Sequence, residues 1–270
     1  LMSDTLNIKQ KSLFSEILTL IKYRLSLSVV LSSVASYLIA FEVFSLFTFT
    51  LLILGGFFVV GASNGFNQII ERNRDALMIR TLNRPLPTGG LNVYQAILVC
   101  VILSFLGLFM LYTINFRTAF FGFLSMIIYL AIYTPLKPIT PLSVFFGAIP
   151  GAIPFMLGWV AVTNQFSIET SILFMIQFFW QFPHFWAIGW FSHDDYKKAG
   201  FKMLPSGKRD DSTAFQIVFY TIWMILVSTL PYFSFTGDFT ISFYSLILIL
   251  VSGCFMLFQA IRLMKYKDKQ

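Results

Sequence analysis

Apolar residues dominate this chain in blocks of about twenty, at 25–41, 43–63, 95–113, 117–134, 142–162, 168–190, 213–233 and 240–261. Roughly 20 apolar residues are enough for an α-helix to cross the hydrocarbon core of a bilayer. A membrane β-barrel would need shorter segments that alternate apolar and polar positions, and the blocks do not have that form. The pattern predicts an all-α fold, a polytopic membrane helical bundle of about eight transmembrane helices. Residues 1–270 are read as one membrane domain, with 1–20 as an N-terminal segment and 263–270 as a basic tail. Two longer polar stretches, 64–93 and 191–212, interrupt the pattern and are expected to cap a central cavity.

Composition strengthens this picture. The chain is 57% hydrophobic and 11% charged, holds 33 Phe, and has a mean hydropathy of +0.77. Those values lie outside the range of soluble domains. The net charge of +7 would by itself suit a nucleic-acid binder, but the placement of the charges argues against one. With eight helices threaded from an internal N-terminus, only Arg117 of the 19 Lys and Arg falls in an opposite-side loop. That bias makes the shared side cytoplasmic, with membrane lipid and not nucleic acid as the surroundings. Cys100 and Cys254 lie in apolar blocks without metal-type spacing and are expected to be buried thiols. No signal or transit peptide is evident in residues 1–20, which favours a bacterial plasma (inner) membrane, although Leu1 ahead of Met2 is unusual for a natural start.

Within so apolar a chain, NQIIERNRDALMIRTLNRP (67–85) is anomalous. Asn67, Glu71 and Asp75 recur at i, i+4 and i+8, so on a helix continuing the second span they form one polar stripe. Stacked oxygen donors suit a hard divalent ion such as Mg²⁺. Arg72, Arg74, Arg80 and Arg84 add planar forks that match diphosphate oxygens. The plainer alternative is a helix end whose acids and arginines pair to hold the loop. A second polar run, HDDYKKAGFKMLP (193–205), follows the sixth block and carries Asp194, Asp195, Lys197, Lys198 and Lys202. Its alternative is a solvated loop. WQFPHFW (180–186) places Pro183, expected to break or kink the sixth span, beside His184. An ionisable group at membrane depth is expensive and commonly functional, the alternative being a His bonded to helix backbone.

These motifs also resemble a known family. Asn67-x3-Glu71-x3-Asp75, with Met78, Arg80-Thr81 and Asn83-Arg84-Pro85, is similar to the first aspartate-rich motif of the UbiA superfamily of intramembrane prenyltransferases. The run through Arg84-Pro85 looks like the protohaem IX farnesyltransferase (haem O synthase) branch, as do WQFPHFW and the DYKKAGFKMLP segment. YTPLKPITP (133–141) resembles the family's loop between helices four and five, and KYR (22–24) its Lys-Pro-Arg motif with Tyr23 in place of Pro. The resemblance covers about residues 20–262.

The resemblance implies transfer of a farnesyl group from farnesyl diphosphate to a vinyl group of haem b, with addition of water, giving haem O. It implies Mg²⁺ or another divalent cation such as Mn²⁺, held by Asn67, Glu71 and Asp75 with Asp194 and Asp195 from the second motif. Catalysis would fall to Asn67, Glu71, Asp75 and Asp195; diphosphate binding to Arg80, Arg84, Lys137, Lys198 and Lys202; the haem pocket to His184, Trp180, Tyr196 and Arg24. A downstream haem A synthase or terminal oxidase would receive the product. Besides Tyr23, the pattern departs from the family at three further points: Glu71 replaces an Asp, Ser192 and Tyr196 flank the second motif's acids, and eight blocks stand where the family has nine spans. The second of these favours Asp195 over Asp194 as the ligand. Two other classes remain open: a related prenyltransferase acting on an aromatic quinone precursor, and a transporter. A transporter would place its charges at the membrane midplane on broken helices.

Overall fold

A computed structural model describes residues 12–267 as helices joined by short connections, with no strand among the described residues. The elements are α1 (Leu13–Leu20), α2 (Tyr23–Ala40), α3 (Leu46–Asp75), α4 (Pro85–Thr88), α5 (Val93–Ile114) and α6 (Phe116–Ile127). A π-helical segment, Ile128–Tyr133, carries α6 into the single turn α7 (Thr134–Leu136). Then follow α8 (Ser143–Thr163), α9 (Ile168–Phe191), α10 (His193–Lys198), α11 (Asp211–Thr229) with a 3₁₀ turn Leu230–Phe233, and α12 (Phe243–Tyr266). Lys9, Lys11 and the end of the basic tail lie outside the described residues.

Seven helices among the described residues are long and apolar enough to cross a membrane. The expected sixth span, now α9, is not one of them although it is a 24-residue helix. Gln177, Trp180, Gln181 and His184 lower its hydropathy, and it packs against α8 and α11 with most of its length buried or half-buried. Its polar groups therefore face protein, so mean hydropathy understates its place in the bundle. Pro183 does not interrupt the helix, contrary to expectation. A proline within a helix loses one backbone hydrogen bond, and a well-packed helix bears that loss without breaking.

Close helix contacts rest on small side chains, as expected where lipid supplies no hydrophobic drive for association. Gly55 of α3 meets Gly107 and Leu111 of α5, and Gly158 of α8 lies against the α2 backbone at Ser33 and Tyr37. Ser33 Oγ donates to the Pro154 carbonyl at 2.8 Å, tying α2 to α8 one turn before Gly158. Cys100 is buried between α3 and α5, as expected, whereas Cys254 is exposed on α12, which packs chiefly on α11 and turns most of its surface outward.

α3 sets the position of the polar cluster. Its 30 residues extend about 45 Å, well beyond a hydrocarbon core of about 30 Å, so it continues past the expected end at residue 63 and carries the acids beyond the span. The left-handed Lys22 (φ 47°) turns α1 back against the same end of α3. Single cysteines introduced at Thr88 and Ser206 in a background free of Cys100 and Cys254 are expected to react with an impermeant thiol reagent from one side, and one at Asn164 from the other. Opposite labelling of positions 88 and 206 would separate the two polar clusters and refute this topology.

Candidate active site

Helical periodicity places Asn67, Glu71 and Asp75 on one face of α3, and packing buries all three, at 1%, 5% and 0% exposure. Charges so deep need partners, and the chain supplies them from distant segments. Lys137 Nζ lies 2.8 Å from Glu71 Oε1 and 3.1 Å from Oε2. Arg84 Nη1 lies 2.6 Å from Asp75 Oδ2. Asn67 donates its amide to Thr134 Oγ1 at 3.1 Å. The stripe on α3 is thus matched, level by level, by α7 and by the residue that starts α4.

The π-helical segment makes this register possible. Thr134 Oγ1 itself donates to the Tyr129 carbonyl five residues back, at 2.8 Å, closing the wide turn. Tyr133 beyond it places its ring 4.6 Å from Lys137 Nζ, and Phe201 lies 5.5 Å from the same ammonium. π-turns of this kind occur frequently at functional sites. Burial alone would lower the Lys137 pKa, but the Glu71 carboxylate and Tyr129 hold it above the ordinary lysine value.

The second polar run joins the first. Arg80 receives the Asp195 carboxylate at its backbone N–H (3.3 Å), donates Nη2 to the Tyr196 hydroxyl (2.9 Å), and lies over that ring at 5.2 Å. Arg74 Nη1 donates to the Ala199 carbonyl at 2.9 Å, and the Lys202 N–H to the Lys137 carbonyl at 2.8 Å. Met78 is buried with Trp190, Phe201 and Met203, pinning the 76–84 turn to the second run. Asp195 also has Lys198 Nζ at 3.7 Å. Asp194 lies on the exposed side and meets Arg209 at 3.2 Å.

Not every expected residue joins this centre. Arg24 is exposed and bonds its neighbour Tyr23, Nε to hydroxyl at 2.9 Å, so it is not brought to the cluster. The reason is the left-handed turn at Lys22, which directs the preceding lysine inward instead. Lys198 and Lys202 have exposed side chains at the rim. Trp180 and His184 stack at 4.4 Å on α9, and Phe185 links them to Tyr133 with ring centroids 6.3 Å apart. No group of three or more His, Cys, Asp or Glu among the described residues is gathered closely enough to hold a metal by itself, so Asp194 and Asp195 do not join Glu71 and Asp75 in one ligand set. Asp75 Oδ1 is buried with neither a hydrogen bond nor an ion pair of its own. With the stacked Asn67 and Glu71 oxygens, it fits a hard oxygen-seeking cation that completes its shell from a second ligand.

Lys22, Tyr133 and Thr134 stand in the motifs 22–24 and 133–141 without an assigned role, and Tyr129 lies outside every motif. Lys22 is half-buried, and burial, then Arg84 and Lys137, pull its pKa down to about 7. A dianion arriving there would draw a proton onto it. Its signal was a lysine immediately ahead of the first apolar block; that of Thr134 was its place one turn before Lys137.

A profile described as the UbiA prenyltransferase family matches residues 28–270. A protein named protoheme IX farnesyltransferase from Christiangramia forsetii is 57% identical over 259 residues, 96% of this chain and 86% of that protein. Among solved structures, a digeranylgeranylglyceryl phosphate synthase superposes with a TM-score of 0.77 at 22% identity, covering 95% of this chain and 89% of that one. A UbiA homolog from Archaeoglobus fulgidus bound to DMAPP and Mg²⁺ superposes with a TM-score of 0.69 at 16% identity, over 92% and 85% of the two chains. These likenesses establish the fold.

The two buried ion pairs make distinct predictions. Asp75→Asn keeps the side-chain shape and removes the charge, and is expected to lower turnover more than about a hundredfold with normal accumulation in the membrane. Near-normal turnover would reduce Asp75 to a partner for Arg84. Lys137→Met strands Glu71 and is expected to cost about 3–5 kcal/mol of stability, read as loss of accumulation or of thermal resistance in detergent. Adding Glu71→Gln to it should restore stability but not turnover.

Proposed function

The chain belongs to the UbiA prenyltransferase family, and we propose that it transfers a farnesyl group from farnesyl diphosphate to a vinyl group of haem b, with addition of water, producing haem O. The observation that carries this reading is the 57% identity to a protoheme IX farnesyltransferase across nearly the whole chain. The juxtaposition of buried carboxylates with a ring of Lys and Arg is consistent with it.

In this reading residues 1–270 act as one prenyltransferase domain in a bacterial plasma membrane, with the polar end facing the cytoplasm. Arg80, Arg84, Lys137 and Lys22 meet the diphosphate, and Lys198 and Lys202 draw it toward the mouth. Asn67, Glu71 and Asp75 hold Mg²⁺, with Asp195 nearby; the ion would supply charge neutralisation of the leaving diphosphate. The occurrence of Mg²⁺ with DMAPP in the Archaeoglobus fulgidus homolog supports that choice of ion. Tyr133 and Phe185 present ring faces along the path from Lys137 to His184, where they steady positive charge on the allylic carbon by cation–π attraction worth about 0.5–2 kcal/mol per ring. Trp180, His184 and Tyr196 form the acceptor side, where a stacked imidazole can ligate iron or bond a propionate. The product would pass to a haem A synthase or terminal oxidase.

Mass spectrometry of haem extracted from membranes expressing this chain is expected to show haem O. Prenylation of 4-hydroxybenzoate with no change in haem would move the protein to the quinone-precursor enzymes. His184→Ala is expected to reduce haem b use at least tenfold while farnesyl diphosphate binding changes little. Unaltered haem farnesylation by that variant would leave His184 a packing residue stacked on Trp180.

A further inference from the structure

Four amides are buried in the described bundle: Asn64, Asn67, Gln68 and Gln181. Three are used. Asn64 donates to Ser26 Oγ at 3.2 Å, Asn67 to Thr134, and Gln68 to the Leu20 carbonyl at 2.6 Å. Gln181 is 7% exposed, and its amide makes no hydrogen bond to any described residue. It lies on α9, at membrane depth, where bulk water does not serve as a substitute partner. Neither amide atom is among the fully enclosed polar atoms that lack a partner, so both border accessible space, and a polar group so placed within a bundle is commonly functional.

The surroundings of Gln181 fix where its amide lies. Its side chain lies over Gly151 of α8, where a Cβ would come within 2.7 Å of Nε2 and 3.0 Å of Oε1. One turn nearer the ionic end, about 6 Å along the same helix, Gly147 seats the Tyr133 ring in the same manner, with a Cβ there 2.7 Å from the ring. Tyr133 in turn contacts Lys137 and Phe185. Phe185 and His184 lie one turn from Gln181 on α9, so the amide borders the same interior wall one level deeper than the diphosphate-binding lysine.

The chemistry indicates which partner is missing. Anionic groups of either substrate would be met by the cations at the mouth, and the iron or a propionate by His184. The remaining polar reactant is neutral: the water that is added. We propose that Gln181 is a positioning residue that holds this water, an inference that rests on the haem-farnesylating reading above. The vinyl π pair forms the new bond to the allylic carbon as the carbon–oxygen bond to the diphosphate breaks, the diphosphate keeping that electron pair. The cation left on the vinyl carbon beside the macrocycle accepts a lone pair from the water oxygen, and the oxonium passes its proton to the released diphosphate. An amide offers that water both a donor and an acceptor while remaining too weak a nucleophile and base to intercept the cation itself. Without the water, the same cation loses a proton from the adjacent carbon and leaves an alkene, lighter than haem O by one water.

The partition between these two products tests the role. Haem extracted from membranes carrying the full wild-type chain, Gln181→Leu or Gly151→Ala would be resolved by mass spectrometry into hydroxylated and dehydrated farnesyl-haem. Gln181→Leu is expected to shift the ratio toward the dehydrated product by roughly tenfold, the effect of one lost hydrogen-bonding partner. Gly151→Ala, which displaces the amide without removing it, should shift it in the same direction by less, and it decides the matter if Gln181→Leu does not accumulate. An unchanged ratio, at full or reduced turnover, would overturn the assignment and leave Gln181 a packing or acceptor-binding residue. A wild-type chain that farnesylates no haem would instead remove the reaction, and this inference with it.

Discussion

Glu71 and Asp75 must find counter-charges inside a protein whose outer surface is apolar, and that constraint organises this end of the bundle. Neither carboxylate reaches solvent, so each needs a cation brought from elsewhere in the chain. Lys137 arrives from beyond α7 and Arg84 from the start of α4. Once those two pairs form, the 76–84 turn and the segment after α9 have few other places to lie. Arg80, Arg74 and the Lys202 N–H then tie them together.

The pairing also explains why the interior tolerates so much polarity. Each acid on α3 faces a base on a different element, and their charges cancel in the resting protein. In the proposed reaction, a metal–diphosphate pair carries charges of the same kinds in reversed roles. The acids can turn to the cation and the bases to the diphosphate, so that two ion pairs exchange for two others and little net charge is buried. The open Asp75 Oδ1 and the unpaired Lys22 are the points from which such an exchange can begin.

Away from the charges, glycine decides the shape of the inner wall. Gly147 and Gly151, one turn apart on α8, receive Tyr133 from the π-helical segment and Gln181 from α9. The aromatic path from Lys137 through Tyr133 and Phe185 to the His184–Trp180 stack depends on those two missing side chains. Polar chemistry at the mouth and π faces in the interior thus come from neighbouring levels of the same helices.

The sequence by itself determined the helical class, the positions of nearly all the spans, and the stripe Asn67, Glu71 and Asp75, because hydrophobic length and a four-residue period are local properties of a helix. It also marked both polar runs and Lys137. It could not show that Pro183 leaves α9 unbroken, that Cys254 faces outward, or that Lys22 rather than Arg24 turns toward the acids. Nor could it pair Glu71 with Lys137 and Asp75 with Arg84, or leave Gln181 alone among the buried amides without a partner. Those outcomes depend on which helices touch and on one π-turn of register, and a buried charge or amide takes its meaning from groups far away in the chain that only packing brings within reach.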